Sequence, residues 1–193
     1  MLDSRRIALL GVLAAVNSVV RLMGAGFAGI ETAFALIILA AYVFGSRFGA
    51  ALGALTILTS ALIGGGVGPW LPFQIIATAL VGLGAGRLPK PKSRKWQLVT
   101  LSIYAAISSY VYGSVLTAWT WPLFVGEGTI LSYSSAESPI ENLVRFFKFE
   151  LVTGGLIWDT GRALTTIALI LLIGKALMTT LERAATRANY EDA

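Results

Sequence analysis

The sequence predicts an all-α integral membrane protein, a compact bundle of six transmembrane helices with both termini cytoplasmic. Three observations carry this prediction. The chain is 56% hydrophobic and 13% charged, with mean hydropathy +0.77, whereas a soluble domain carries about a quarter charged residues. Its apolar residues gather in six segments, approximately 6–23, 27–45, 47–64, 70–88, 96–119 and 149–175, each near the ~20 residues that a bilayer core requires. Finally, eleven of the fifteen Lys and Arg residues fall on one side of that arrangement. Cytoplasmic loops are enriched in Lys and Arg, so the bias sets the orientation. It also accounts for the net charge of +5 without nucleic acid.

The first segment has no small-residue cleavage signature after its apolar run and reads as a retained helix rather than a signal peptide. Asn17 and Arg21 lie four apart on one face of its outer half. Gly11 with Ala15, and Ala14 with Ser18, give it small-residue spacing that lets another helix approach closely. After a glycine-rich turn at 24–29, Glu31 opens the second segment. Gly45, Gly49 and Gly53 open the third, and Thr78, Gly82 and Gly86 close the fourth. Both four-residue ladders predict close internal packing.

Between the third and fourth segments lies the most informative stretch, 64–74, Gly-Gly-Gly-Val-Gly-Pro-Trp-Leu-Pro-Phe-Gln. Glycine and proline weaken helix there. Non-helical backbone at membrane depth is tolerated only against protein or a cavity. A ligand mouth on the outer side is therefore expected, with Trp70 and Gln74 beside it. The basic linker 88–95 returns the chain to the cytoplasm, and the fifth segment carries Tyr110, Tyr112 and Trp119 toward the outside. Residues 120–148 form the one long external segment. Within it, 139–149 mixes apolar and charged residues as an interfacial amphipathic helix does, as a lid or resting on lipid. The last segment carries Glu150 near its outer end, then Trp158, Asp159 and Arg162, and 176–193 is a cytoplasmic tail. The whole of 1–193 reads as a single membrane domain.

Ionisable and polar groups inside a membrane span are costly, and by default mark function. Asn17, Arg21, Glu31, Gln74, Glu150, Asp159 and Arg162 all fall toward the outer side, as do the aromatics Trp70, Tyr112, Trp119 and Trp158. An apolar pocket with a few polar anchors is the usual make-up of a small-molecule site, and these eleven are its candidate lining. Asp159 and Arg162, spaced i, i+3, equally suit a neutralising internal pair.

The chain contains no histidine and no cysteine. That removes the commonest general base, the commonest transition-metal ligand, thiolate sites and disulfides. No phosphate-binding loop, zinc-protease or nucleophile-elbow motif occurs, and Asp159 lacks a paired intramembrane carboxylate. Neither an enzyme nor a bound cofactor is expected. Six helices leave little room for the two symmetric halves of a typical secondary transporter.

With these residues in view, the chain resembles the membrane-embedded substrate-binding subunits, or S components, of energy-coupling factor (ECF) transporters. The likeness rests on the run Glu31-Thr-Ala-Phe-Ala-Leu-Ile-Ile-Leu-Ala-Ala-Tyr-Val-Phe-Gly45-Ser-Arg-Phe-Gly49. It also rests on Gly68-Pro-Trp-Leu-Pro-Phe-Gln74 and on Trp158-Asp-Thr-Gly-Arg-Ala163, which look like those of a vitamin-type subgroup. The resemblance implies a subunit of the cell membrane that captures a micronutrient from outside. It implies as partners a transmembrane coupling subunit and two cytoplasmic ATPases. In that family small residues on the first helix, in an Ala-x-x-x-Ala pattern, contact the coupling subunit; here Gly11, Ala15, Ala14 and Ser18 stand in for it. The absence of histidine argues against the cobalt and nickel members, whose site is built with an N-terminal His that Met1-Leu2 does not supply. A vitamin is expected, with cobalamin or a related corrinoid as the first guess. The alternative is a stand-alone channel or secondary transporter, which moves solute without ATPase partners.

Overall fold

Helices make up the regular structure of the computed structural model, which describes residues 4–24, 30–124 and 129–188. In chain order they are α1 (Ser4–Gly24), α2 (Ala33–Phe44), α3 (Ser46–Ser60), α4 (Leu71–Ala85), α5 (Arg94–Phe124), α6 (Pro139–Val152) and α7 (Gly155–Arg187). Four stretches are long and apolar enough to cross a membrane: Ser4–Gly24, Ser46–Gly64, Arg94–Trp121 and Gly155–Arg187. Two shorter apolar helices, α2 and α4, accompany them. Most of the glycine-rich turn (25–29), part of the 120–148 segment (125–128), the tail residues 189–193, and Met1-Leu2 of the metal-ring reading lie outside the described residues.

α2 explains how a 12-residue helix, about 18 Å long, belongs in such a bundle. It is apolar on every face, and Ile37, Ile38, Leu39, Ala40 and Ala41 are fully buried. A helix that is hydrophobic all round is a core helix. It packs against α3, α4 and α7, with lighter contacts to α1 and α5, so protein rather than lipid surrounds it. The chain turns from α2 into α3 at Gly45, whose φ of 90° is left-handed backbone that glycine adopts without a Cβ penalty.

The two glycine ladders meet each other. A Cβ on Gly49 or Gly82 would strike the other's backbone, one on Gly53 the backbone of Thr78, and one on Gly86 the backbone of Ser46. α3 and α4 therefore pack backbone to backbone, as small residues allow in lipid. α5 and α7 form the second close pair.

Element ends depart from the sequence-based boundaries at several places. α5, for one, runs on to Phe124 rather than ending at 119, so the external segment does not begin at 120. α3 ends at Ser60 in a single wide π-type turn, Ala61–Gly65, so the glycine run 64–66 is not regular helix. The apolar segment starting at 149 divides at Gly154, whose φ of 82° breaks it. Phe149 and Glu150 close α6, and α7 starts afresh at Gly155. Finally, α7 continues to Arg187 rather than stopping near 175. Leu181, Glu182, Arg183, Ala184 and Ala185 are good helix formers, and Met178 and Leu181 bury into the core.

The helices alternate in direction. The C-terminal ends of α1, α3 and α5 thus share one end of the bundle with the N-terminal ends of α2, α4 and α7. This distal end lies opposite the start of α1 and the end of α7, and α6 follows α5 there. α6 opens with a capping box, Ser138 Oγ accepting from the Glu141 N–H while the Glu141 carboxylate accepts from the Ser138 N–H. The Ser138 hydroxyl also donates to Glu141 Oε2 at 2.7 Å, and this bond, with the one from the Ser138 N–H, holds the Glu141 carboxyl below its usual range. α6 turns Ile140, Leu143, Val144 and Phe147 outward, while Asn142 and Glu150 are buried. An apolar stripe facing out with polar groups facing in fits a helix lying at the membrane interface.

Candidate functional site

Near the first turns of α7, Asp159 and Arg162 stand one above the other, because residues three apart share a helix face. Arg162 Nη1 donates to Asp159 Oδ1 at 2.5 Å and to the Ser109 carbonyl of α5 at 3.2 Å. The guanidinium lies 4.6 Å from the Tyr112 ring centroid and 5.7 Å from that of Phe34. Those two rings meet edge to face at 5.0 Å. Arg162 is thus held by an anion, a carbonyl and two π faces, and cation–π contact strengthens once desolvated. On α5, Gly113 makes room for the pair, since a Cβ there would run into the Asp159 carboxylate.

A second group lies beside the first, on α1, α3 and the start of α2. Asn17 Nδ2 donates to the Ala33 carbonyl at 3.2 Å and to Thr56 Oγ1 at 3.1 Å, tying the three helices together. Arg21 Nη1 donates to Ser60 Oγ at 3.0 Å, and its Nε lies 3.9 Å from Glu31 Oε2. Glu31 is within electrostatic reach of both Arg21 and Arg162, which joins the two groups.

Gln74 is half-buried at the start of α4, its carbonyl accepting from Thr78 Oγ1 at 2.8 Å. Next to it, Phe73 stacks on Trp119 of α5, with centroids 4.5 Å apart and planes 4° from parallel. Glu150, in the last turn of α6, is 1% exposed and within electrostatic reach of Asp159.

Nine of the eleven sequence-predicted lining residues therefore turn inward at the distal end: Asn17, Arg21, Glu31, Gln74, Tyr112, Trp119, Glu150, Asp159 and Arg162. Trp70 and Trp158 are exposed instead, as interfacial aromatics are. Sequence reading passed over Phe34, Thr56, Ser60, Ser109 and Gly113. The hydroxyls of α3 and the glycine after Tyr112 carried no charge signal that would single them out.

Several polar atoms of this cluster are buried without a hydrogen-bond partner: Asn17 Oδ1, Glu31 Oε1, Trp119 Nε1, Asp159 Oδ2 and both oxygens of Glu150. Native proteins rarely leave such groups unpaired, and each one calls for an explanation. Among the described residues, no group of three His, Cys, Asp or Glu is arranged to hold a metal. Arg21 Nε and Arg162 Nε are likewise unpartnered, so the chemistry available is recognition through acceptors, guanidinium and indole N–H donors, and aromatic faces.

On α1, Ala14 and Ser18 turn inward: Ser18 Oγ donates to the Ala14 carbonyl at 2.7 Å and to that of Thr56 at 3.1 Å. Gly11 and Ala15 face outward, and a Cβ on Gly11 would meet nothing within 4 Å. The open small-residue stripe is thus narrower than the four residues the spacing offered.

A family model described as ECF transporter, substrate-specific component, matches residues 5–181. No curated protein and no solved structure is significantly similar to the chain.

Proposed function

Because the chain belongs to the family of ECF transporter substrate-specific components, we propose that it captures a vitamin or related micronutrient outside the cell and delivers it through ATP-driven partners. The polar cluster at the distal end is the capture site, and that end faces outward. In this arrangement α1, α2, α3, α4, α5 and α7 are the six spans, the single membrane domain places both termini in the cytoplasm, and α6 lies at the outer interface. The orientation is supported by the basic residues Arg47, Arg87, Lys90, Lys92, Arg94, Lys95, Arg183 and Arg187, all at the terminal end. A transmembrane coupling subunit and cytoplasmic ATPases supply the energy, and Gly11 and Ala15 are the contact surface offered to the former.

The observation that carries the site is the buried Asp159–Arg162 pair with unpartnered polar atoms around it. A wholly structural pair closes its own hydrogen bonds; this one keeps acceptors to spare. Asn17, Arg21, Glu31, Gln74, Tyr112, Trp119, Glu150, Asp159 and Arg162 line it. Trp70 and Trp158 belong to its rim.

ATP-driven uptake and equilibrium binding separate the two surfaces. With a vitamin panel headed by corrinoids, Asp159→Ala is expected to weaken binding and uptake together. Gly11→Leu with Ala15→Leu projects into open space, so it spares binding and blocks uptake. Uptake that persists in the double variant places the docking face elsewhere, and uptake by the chain alone, without ATPases, supports a stand-alone transporter instead.

A further inference from the structure

We propose that the captured solute carries a positively charged nitrogen, and that Glu150 receives it. The inference rests on the solute-capture reading above and names the chemical class that this site takes.

Five ionisable side chains of described residues converge on the distal end: Arg21, Glu31, Glu150, Asp159 and Arg162. Arg21 lies 3.9 Å from Glu31, and Arg162 lies 2.5 Å from Asp159. Two cations thus answer two of three carboxylates, and Glu150 is the one left over. It is also deeply placed, 1% exposed, with neither carboxylate oxygen hydrogen-bonded.

Neither cation of α6 answers it. Arg145, on the same helix, pairs with Glu137 and donates to the Thr129 and Ser132 carbonyls. Lys148 lies on the exposed face of α6. At the start of α7, the Ile157 and Trp158 N–H groups both go to the Gly154 carbonyl. Asp159 keeps a second unpartnered acceptor, Oδ2, within electrostatic reach of Glu150.

A buried carboxylate without a counter-charge is among the costliest arrangements a fold can hold. Two things relieve it: a proton on the carboxyl, or a cation from outside the chain. A protonated Glu150 would donate its O–H to Asp159 Oδ2, and the infrared band of a protonated carboxyl tells that arrangement from a bound cation. A cationic nitrogen placed between Glu150 and Asp159 satisfies both, through charge-assisted hydrogen bonds, and brings the cluster to neutrality. An anionic solute would add to the excess, so the same geometry selects against it.

The test titrates the purified full-length chain with three probes that share an indole ring: tryptamine (cationic), indole-3-ethanol (neutral) and indole-3-propionate (anionic). Binding is read as a rise in the unfolding midpoint. Tryptamine is expected to act at about tenfold lower concentration than the other two. Glu150→Gln, which keeps the side-chain volume, removes that preference, and Glu150→Asp keeps it in weakened form. Equal responses to the three probes, or no response to any, overturn the proposal. So does an infrared band of a protonated carboxyl that is present in the native chain and missing in Glu150→Gln. The transport reading fails on a different result, the absence of any assembly with coupling and ATPase subunits.

Discussion

The two ends of the bundle treat charge in opposite ways. At the terminal end Arg94 forks onto Glu182, with Nη1 at 2.9 Å and Nη2 at 2.7 Å from its two oxygens, and Nη1 also donates to Gln97 at 2.9 Å. Those side chains are 31% and 44% exposed, and they clasp the overhanging ends of α5 and α7. At the distal end Arg162 and Asp159 are 11% and 3% exposed, and the acceptors around them outnumber the donors. The first arrangement is self-sufficient and wet. The second is dry and incomplete, which is expensive in a membrane span. Charge at the terminal end fits topology and helix fastening; charge at the distal end is what the proposed capture site accounts for.

The contrast can be broken at either end. Arg162→Ala leaves Asp159 buried beside no cation and is expected to cost about 3–5 kcal/mol of stability. A large fall in the thermal midpoint of the detergent-purified chain would register it, and an unchanged midpoint would make the pair dispensable. Gly113→Ala pushes a methyl into the Asp159 carboxylate. Overpacking of this kind costs roughly 1 kcal/mol or somewhat more, and moving Asp159 should weaken solute binding more than it lowers the midpoint.

Arg94→Ala, by contrast, removes a part-exposed pair worth about 0–1 kcal/mol. Its midpoint should barely move and its solute affinity should stay native; a loss comparable to Arg162→Ala would erase the distinction between the ends. The smallest effect lies in the α6 capping box. Glu141 has its carboxyl held below the usual range by Ser138. Its contribution is therefore complete above the unfolded-state pKa and fades as pH falls through the lower folded value. Lower amide-exchange protection factors at the start of α6 under acid, with those of the neighbouring helices unchanged, would record it.

Much of the distal end was legible because membranes make polar residues conspicuous. Asp159 and Arg162 announced themselves by a three-residue spacing in an apolar run, and the glycine ladders of α3 and α4 by their four-residue spacing. Glu150, expected at the outer end of the last span, closes α6 instead, and its orientation follows that helix. The sequence showed α6 to be amphipathic without showing which face turned in, and the apolar Ile140–Leu143–Phe147 stripe turned outward. The break at Gly154 was hidden for a related reason. Apolar residues flank it on both sides, and a composition-based span runs straight through a position that only its positive φ reveals. Gly113 carries no charge at all, and its role depends on a carboxylate 46 residues later in the chain. Beyond 175 the apolar run ends and composition marks only a cytoplasmic tail, yet the residue spacing keeps it helical, burying Met178 and Leu181 while Glu182 meets Arg94.

The account stands on capture of a small solute by the buried distal cluster. Mass spectrometry of the small molecules released when the detergent-purified chain is denatured, native beside Asp159→Ala, tests this most directly. A solute released in near-equimolar amount by the native chain and depleted in the variant is the predicted result. Identical release profiles from the two proteins would contradict it.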